Sequence, residues 1–297
     1  MIQVRVPATS ANMGAGFDSL GVAIGLYNSI KICEIEKGIS VYNNSKEHIP
    51  IGERNLIYRA ICRVFDEVGY QKKGIKIIQN SEIPVTRGLG SSSACIVGGM
   101  IAANIISGRN LSYHDILRLA TEMEGHPDNV TPALFGGFCV SAKEGNDIIY
   151  RSHKLTYGIK FAVMHPDFFL STQASRVSLP NEVTLKDASY NISRAALMTS
   201  MLITGDLDGL NVAAMDRLHQ DYRKANIAKF DDIVEKSYEF GARATFLSGS
   251  GSAIVSVLTQ DEAEFEERMN SYMKNMEQKW NCRVVTIDNV GAIVKEY

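Results

Sequence analysis

Pro84-Val85-Thr86-Arg87-Gly88-Leu89-Gly90-Ser91-Ser92-Ser93-Ala94 is the stretch around which the chain is organised. A strand-like apolar segment (Ile75, Ile77, Ile78) leads into it, and ACIVGGMIAANIISG, an apolar helix-like run, follows it. Glycine lets backbone N–H groups come close to a ligand. The start of a helix leaves its first N–H groups without partners at the positive end of the dipole, which suits an anion. Serine hydroxyls can cap that helix or touch a metal ion carried by phosphates. Two readings are therefore open on these residues: a phosphate cradle, or a Gly-rich turn with a serine N-cap. A Walker A loop is excluded, because no G-x-x-x-x-G-K-[ST] occurs. A dinucleotide fingerprint is excluded as well, since Ser93 stands where its third glycine would be.

Length and composition set the frame. The chain has 297 residues and a formal net charge of −2. That length allows one large core or two modest ones, with two preferred. The charge points to neither nucleic acid nor an anionic membrane as partner. No apolar run is long enough to span a bilayer, and MIQVRVPATSAN lacks the apolar centre of a secretory signal. The five cysteines are scattered and lack zinc-ligand spacing. Free thiols in a reducing compartment, and hence a cytoplasmic location, are the expectation.

Outward from the loop, three further stretches carry chemistry. Upstream, alternation over Ile2–Val6 predicts a strand. The small-residue segment PATSANMGAGFDSLGVAIGLYN reads as a loop in which Asn12 and Asp18 are the polar side chains, or as a tight connection with Asp18 as a cap. Downstream, Ser112 with Asp115 predicts a helix start. That helix carries Glu122 and Glu124, which read either as oxygen ligands for a hard cation or as a solvated face. His126, Asp128 and Asn129 follow in EGHPDNVTPALFGGF. They read as a base with its orienter, or as a helix-initiating turn capped by Asp128 or Asn129. In the second half, Ala188–Met201 predicts a helix with Ala195, Ala196, Leu197 and Met198 inside. SGSGSA reads as a Gly-rich hairpin between two strands, and strands interleaved with helices suggest an α+β sandwich of ferredoxin-like type. Arg176 and Arg223 are, on composition alone, solvated charges.

Together these motifs resemble the GHMP kinases, the family of galactokinase, homoserine kinase, mevalonate kinase and phosphomevalonate kinase. P-x-x-x-GLGSSSA is similar to the family's second motif, PATSANxGxGFDxxGxA to its first in the homoserine kinase form, and FLSGSGSAIV to its third. EGHPDNVxPALFGGF and the two arginine segments are similar to the same branch. The resemblance covers nearly the whole chain. It implies a two-domain α+β fold, with an N-terminal domain over residues 1–160 around the phosphate loop and a ferredoxin-like domain over residues 161–297. It implies transfer of the γ-phosphoryl of ATP to the hydroxyl of L-homoserine, on the route to threonine. Residues Pro84 to Ala94 would bind ATP. Ser92 and Glu122 would hold Mg²⁺, with Glu124 the competing carboxylate.

The resemblance further places Asn12, Asp18, His126 and Asp128 against the amino acid, Asp18 at its ammonium group. It brings Arg176 and Arg223 to its carboxylate, a pairing the guanidinium fork suits. Asn129 stands where other members place a catalytic aspartate, and an amide cannot take a proton as a carboxylate does. With no dedicated base, the hydroxyl would be activated by positioning, metal and phosphate oxygens. The alternatives are a GHMP kinase for another alcohol, such as mevalonate, which has no ammonium for Asp18, and a catalytically silent sensor on the same fold. A homodimer is the expected assembly.

Overall fold

The computed structural model describes residues 1–45, 49–168, 177–259 and 262–297. Two sheets organise it. The first contains β1 (Ile2–Ala11), β2 (Leu20–Ile35), β3 (Ile39–Asn43), β4 (Gly74–Ser81), β5 (Phe138–Glu144), β6 (Asp147–His153) and β11 (Ile293–Glu296), with β11-β1-β2-β4-β3 as its main path. The second runs β10-β7-β9-β8, from β7 (Lys160–Pro166), β8 (Ala244–Leu247), β9 (Ile254–Leu258) and β10 (Trp280–Thr286). Every pairing in the second sheet is antiparallel. With α8 (Phe230–Glu239) before β8 and α9 (Glu262–Met273) between β9 and β10, this is the ferredoxin-like order.

The expected division at residue 160 is not kept as two consecutive blocks. β11 leaves the second half of the chain and pairs antiparallel with β1, Ile2 opposite Glu296. The first two strands are also longer than alternation suggests. The small residues read as loop continue both strands, which pair as far as Ala11 opposite Gly21. They are buried on both faces, so no polar alternation marks them. A Cβ at Gly21 would lie 1.9 Å from the Asp128 carbonyl oxygen, so a small residue there lets the next layer sit directly on the strand.

That layer is α2 (Ser91–Ile106), with α1 (Leu56–Glu67), α3 (Tyr113–Glu124) and α4 (Pro127–Phe135) around it. α1 begins at Asn55, whose side chain accepts from the Tyr58 N–H, and α3 at a Ser112/Asp115 capping box. α2 is apolar nearly all round because it is the central helix. Gly98 packs against Ile30 and Gly99 against the Ile57 carbonyl.

In the second half, α5 (Leu185–Thr204), α6 (Leu210–Ala213) and α7 (Gln220–Lys224) link β7 to α8. Of the four α5 residues expected inside, only Met198 is buried. Asn191, Met201 and Leu202 join it on the packed face, whereas Ala196 and Leu197 are exposed. The helix is apolar on two faces, so composition cannot say which one packs. Among the described residues no helix is long and apolar enough to cross a membrane.

Candidate active site

The phosphate loop enters α2 through Gly90, at the N-cap position with φ 67° and no side-chain cap. The serine-capped turn is therefore not what forms. The first N–H groups of α2 are left for a ligand, bordering a cavity of about 370 Å³. The three Gly-containing motifs meet here. Thr9 N–H donates to the Leu89 carbonyl (3.2 Å), Gly249 N–H to the Ala11 carbonyl (3.1 Å), and Ala253 N–H to the Arg87 carbonyl (2.9 Å). The Ser248 hydroxyl donates to the Gly88 carbonyl (2.7 Å). Arg87, in the middle of the loop, does not offer a free cation to phosphate. Its guanidinium donates to the carbonyls of Val85, Pro166 and Asp167, each at 2.8 Å, and so staples the loop to the end of β7.

Glu122 is not at the loop. Its carboxylate accepts from Arg63 (3.1 Å) and Arg118 (2.8 Å) on the outer surface. The carboxylate that reaches the loop is that of Glu124, which accepts from the Ser92 hydroxyl at 2.8 Å and lines the cavity. Two residues along an α-helix is about 200° of rotation, so only one of this pair can face α2. The Ser92–Glu124 pair offers a hydroxyl and a carboxylate oxygen side by side, a donor set that fits a hard divalent cation.

At the adjoining end the β1–β2 connection holds Asn12 and Asp18 in left-handed backbone (φ 67° and 53°). Asn12 locks the turn by accepting from the Asp18 N–H and donating to the Gly249 carbonyl, both at 2.9 Å. α4 begins at His126 with Pro127 in its first position, so Asp128 and Asn129 lie inside its first turn and neither caps it. Asp18, His126 and Asp128 bring their polar atoms within 4.8 Å of one another, and the His126 ring nitrogen Nδ1 is hydrogen-bonded to buried Asp128. Burial alone would lower the His126 pKa; the Asp128 hydrogen bond and the negative charges of Asp128, Asp18 and Glu124 outweigh it and raise it. This end of the cavity favours a cation. As a metal site it is poor, since the imidazole nitrogen that faces the carboxylates is already engaged by Asp128.

Arg223 borders the same space and is 2 % exposed. It donates to the Gly249 carbonyl at 2.9 Å, and its guanidinium stands 5.3 Å from the centre of the Phe17 ring. Behind it is His219, a residue the motifs do not single out. His219 Nε2 donates to the Gly14 carbonyl (2.8 Å), which leaves Nδ1 as an acceptor 3.3 Å from Arg223 Nη1. Burial holds the His219 pKa down, so the ring is a neutral prop. The only advance signal was its position four residues before Arg223 on one helical turn. Arg176 lies outside the described residues. The far end of the cavity is walled by Ile49, Pro50, Leu56 and Val85, an apolar slot without a sequence motif.

A Gly-rich loop with an open helix start, next to a cation-favouring cluster and a buried arginine, defines a small-molecule phosphotransferase with donor and acceptor ends in one cavity. Comparison with known proteins agrees. Residues 55–137 match the model of the GHMP kinases N terminal domain, and residues 197–275 that of the GHMP kinases C terminal domain. The chain belongs to the GHMP kinase family. It is 46% identical to the homoserine kinase of Caldicellulosiruptor saccharolyticus, over 99% of this chain and 96% of that one. It is 44% identical to that of Clostridium beijerinckii, over 100% and 99%. The crystal structure of homoserine kinase from Cytophaga hutchinsonii superposes with a TM-score of 0.87 at 27% identity, covering 99% of this chain and 97% of that one. The Methanococcus jannaschii mevalonate kinase shares the fold, with a TM-score of 0.70 at 18% identity, covering 96% and 98%.

Proposed function

We propose that the chain is a homoserine kinase, converting ATP and L-homoserine to ADP and O-phospho-L-homoserine on the route to threonine. The observation that carries this is the acceptor end of the cavity, where Asp18 and Asp128 lie close together and Arg223 borders the same space. An amino acid offers an ammonium to the first and a carboxylate to the second; mevalonate has no ammonium to offer. Relatives 46% and 44% identical bear that name. In this reading the apolar slot takes the adenine, and the N–H groups at the start of α2 take the phosphates. Ser92 and Glu124 would hold Mg²⁺, which neutralises charge on the phosphates when bound. Asp18 pairs with the ammonium, and Asn12, His126 and Asp128 contact the amino acid around it. Arg223 takes the carboxylate, with Arg176 assigned to the same group on resemblance alone.

The substrate oxygen attacks the γ-phosphorus, the bond to the β-bridging oxygen breaks, and the hydroxyl proton passes to an oxygen of the transferred group. Positioning and charge stabilisation carry such a step, so an amide at Asn129 is compatible with it. A coupled ADP-release assay comparing L-homoserine, L-serine, L-threonine and mevalonate tests the reading. Saturable turnover preferring homoserine is expected. Arg223→Ala should raise the homoserine KM by roughly 10–100-fold, the loss of a charge-assisted hydrogen bond, while the ATP KM changes little. Preference for mevalonate, or a rise confined to the ATP KM, would overturn these assignments.

A homodimer is part of the same proposal, and the outward face of α5 supports it. Leu185, Ile192 and Ile203 are 86, 70 and 44 % exposed, and with Ala196 they form an uncharged stripe spaced seven, four and seven residues apart. That spacing reads alike in both directions. A two-fold axis near Arg194 would set Leu185 of one copy on Ile203 of the other, the self-complementary contact a symmetric dimer needs. Ile192→Glu is expected to halve the mass measured by light scattering. A wild type that is monomeric at high concentration would remove the idea. We place the enzyme in the cytoplasm, where its five free thiols would stay reduced.

A further inference from the structure

Thr9 is fully buried on β1 and touches both halves of the reaction centre. Its N–H donates to the Leu89 carbonyl of the phosphate loop at 3.2 Å. Its hydroxyl donates to Asn129 Oδ1, in the first turn of α4, at 2.7 Å. Gly90 lies so close that a Cβ there would come within 1.9 Å of Thr9 Oγ1 and 3.2 Å of Asn129 Oδ1. One threonine thus joins the element that takes the phosphates to the element that faces the acceptor.

An amide side chain has an acceptor end and a donor end. With Oδ1 tied to Thr9, Nδ2 is the end left over. Among the described residues it has no hydrogen-bond partner, and Asn129 lines the cavity. We propose that Thr9 is a positioning residue: it fixes the Asn129 amide with its donor end toward the reacting oxygens and keeps α4 in register with the phosphate loop. The opposite orientation would set Oδ1 lone pairs against phosphate oxygens and repel the group being transferred. This role rests on the kinase reading above.

Thr9→Val keeps the volume and the N–H bond to Leu89 but removes the hydroxyl. It is expected to lower kcat about 10–100-fold, the usual loss when a supporting hydrogen bond is removed, with both KM values within about twofold of wild type. Thr9→Ser, which keeps the hydroxyl and loses the methyl, should recover most of that turnover. A packing role predicts the opposite order, with serine worse than valine. In an Asn129→Ala background, Thr9→Val should cost nothing further, because the group it orients is gone. Should Thr9→Val not fold, Thr9→Cys, with a weak donor of similar size, should fall between wild type and Asn129→Ala.

Wild-type kcat in the valine variant, serine worse than valine, or an undiminished valine effect without Asn129 would each overturn the assignment. A folded wild type that turns over none of the four acceptors would overturn the kinase reading and this role with it. A variant-specific failure leaves the kinase reading standing.

Discussion

Glu124→Gln is expected to lower turnover by about 10²–10³-fold, the range seen when one group stabilising transition-state charge is removed. Glu122→Gln should stay within about threefold of wild type. The two substitutions are chemically identical and two residues apart, so the contrast reads position alone. Glu124 accepts from the Ser92 hydroxyl at the mouth of the phosphate loop, whereas Glu122 is held by Arg63 and Arg118 on the far side of α3. Those surface pairs are worth little to stability, about 0–1 kcal/mol each, so Glu122→Gln should also fold normally. Measured in the ADP-release assay across a Mg²⁺ titration, the Glu124 variant should need more Mg²⁺ to reach its own plateau. Loss in Glu122→Gln alone would move the cation to that carboxylate, and equal loss in both variants would overturn the assignment to Glu124.

Gly90→Ala should abolish measurable turnover and destabilise the fold by several kcal/mol. Alanine there would be strained in left-handed backbone at φ 67°, costing on the order of 1 kcal/mol or more. Its Cβ would also meet Thr9 Oγ1 at 1.9 Å, an overlap that adds roughly 1–3 kcal/mol and drives β1 away from the loop. Gly69, after α1, separates the two costs. It has nearly the same backbone, φ 65°, but nothing lies within 4 Å of its missing Cβ. Gly69→Ala should lose about 1 kcal/mol in denaturant melts and keep its activity. If Gly90→Ala behaves like Gly69→Ala, the tight seating of the loop on β1 is not needed for phosphoryl transfer.

The loops of this site were legible because their composition is unusual. Glycines and serines at fixed offsets have few other uses, and GLGSSSA, EGHPDN and SGSGSA come together as their motifs imply. Three kinds of feature were not legible, each for a physical reason. Choosing between Glu122 and Glu124 needs the rotational phase of α3, which its capping box anchors only once the helix is packed. The inner face of α5 could not be chosen because Leu185, Ile192 and Ile203 make its outer face as apolar as the one around Met198. Strand continuation from Pro7 to Ala11 is hidden because both faces are buried and the residues are small. Thr9 and His219 escaped notice for another reason. Each acts on one functional side chain through a hydrogen bond between distant parts of the chain, and a sequence does not display that pairing.

The pairing of β11 with β1 also constrains the order of events during synthesis. Residues 2–5 leave the ribosome long before their partners at 293–296 are made. Until then the outer edge of β1, with its unpaired N–H and C=O groups, stands open while the second sheet is built. Such an edge invites pairing with another nascent chain. The phosphate-loop domain therefore cannot be completed before the ferredoxin-like one. The Met1 nitrogen donates to the Tyr297 carbonyl at 2.9 Å, which extends the same seam.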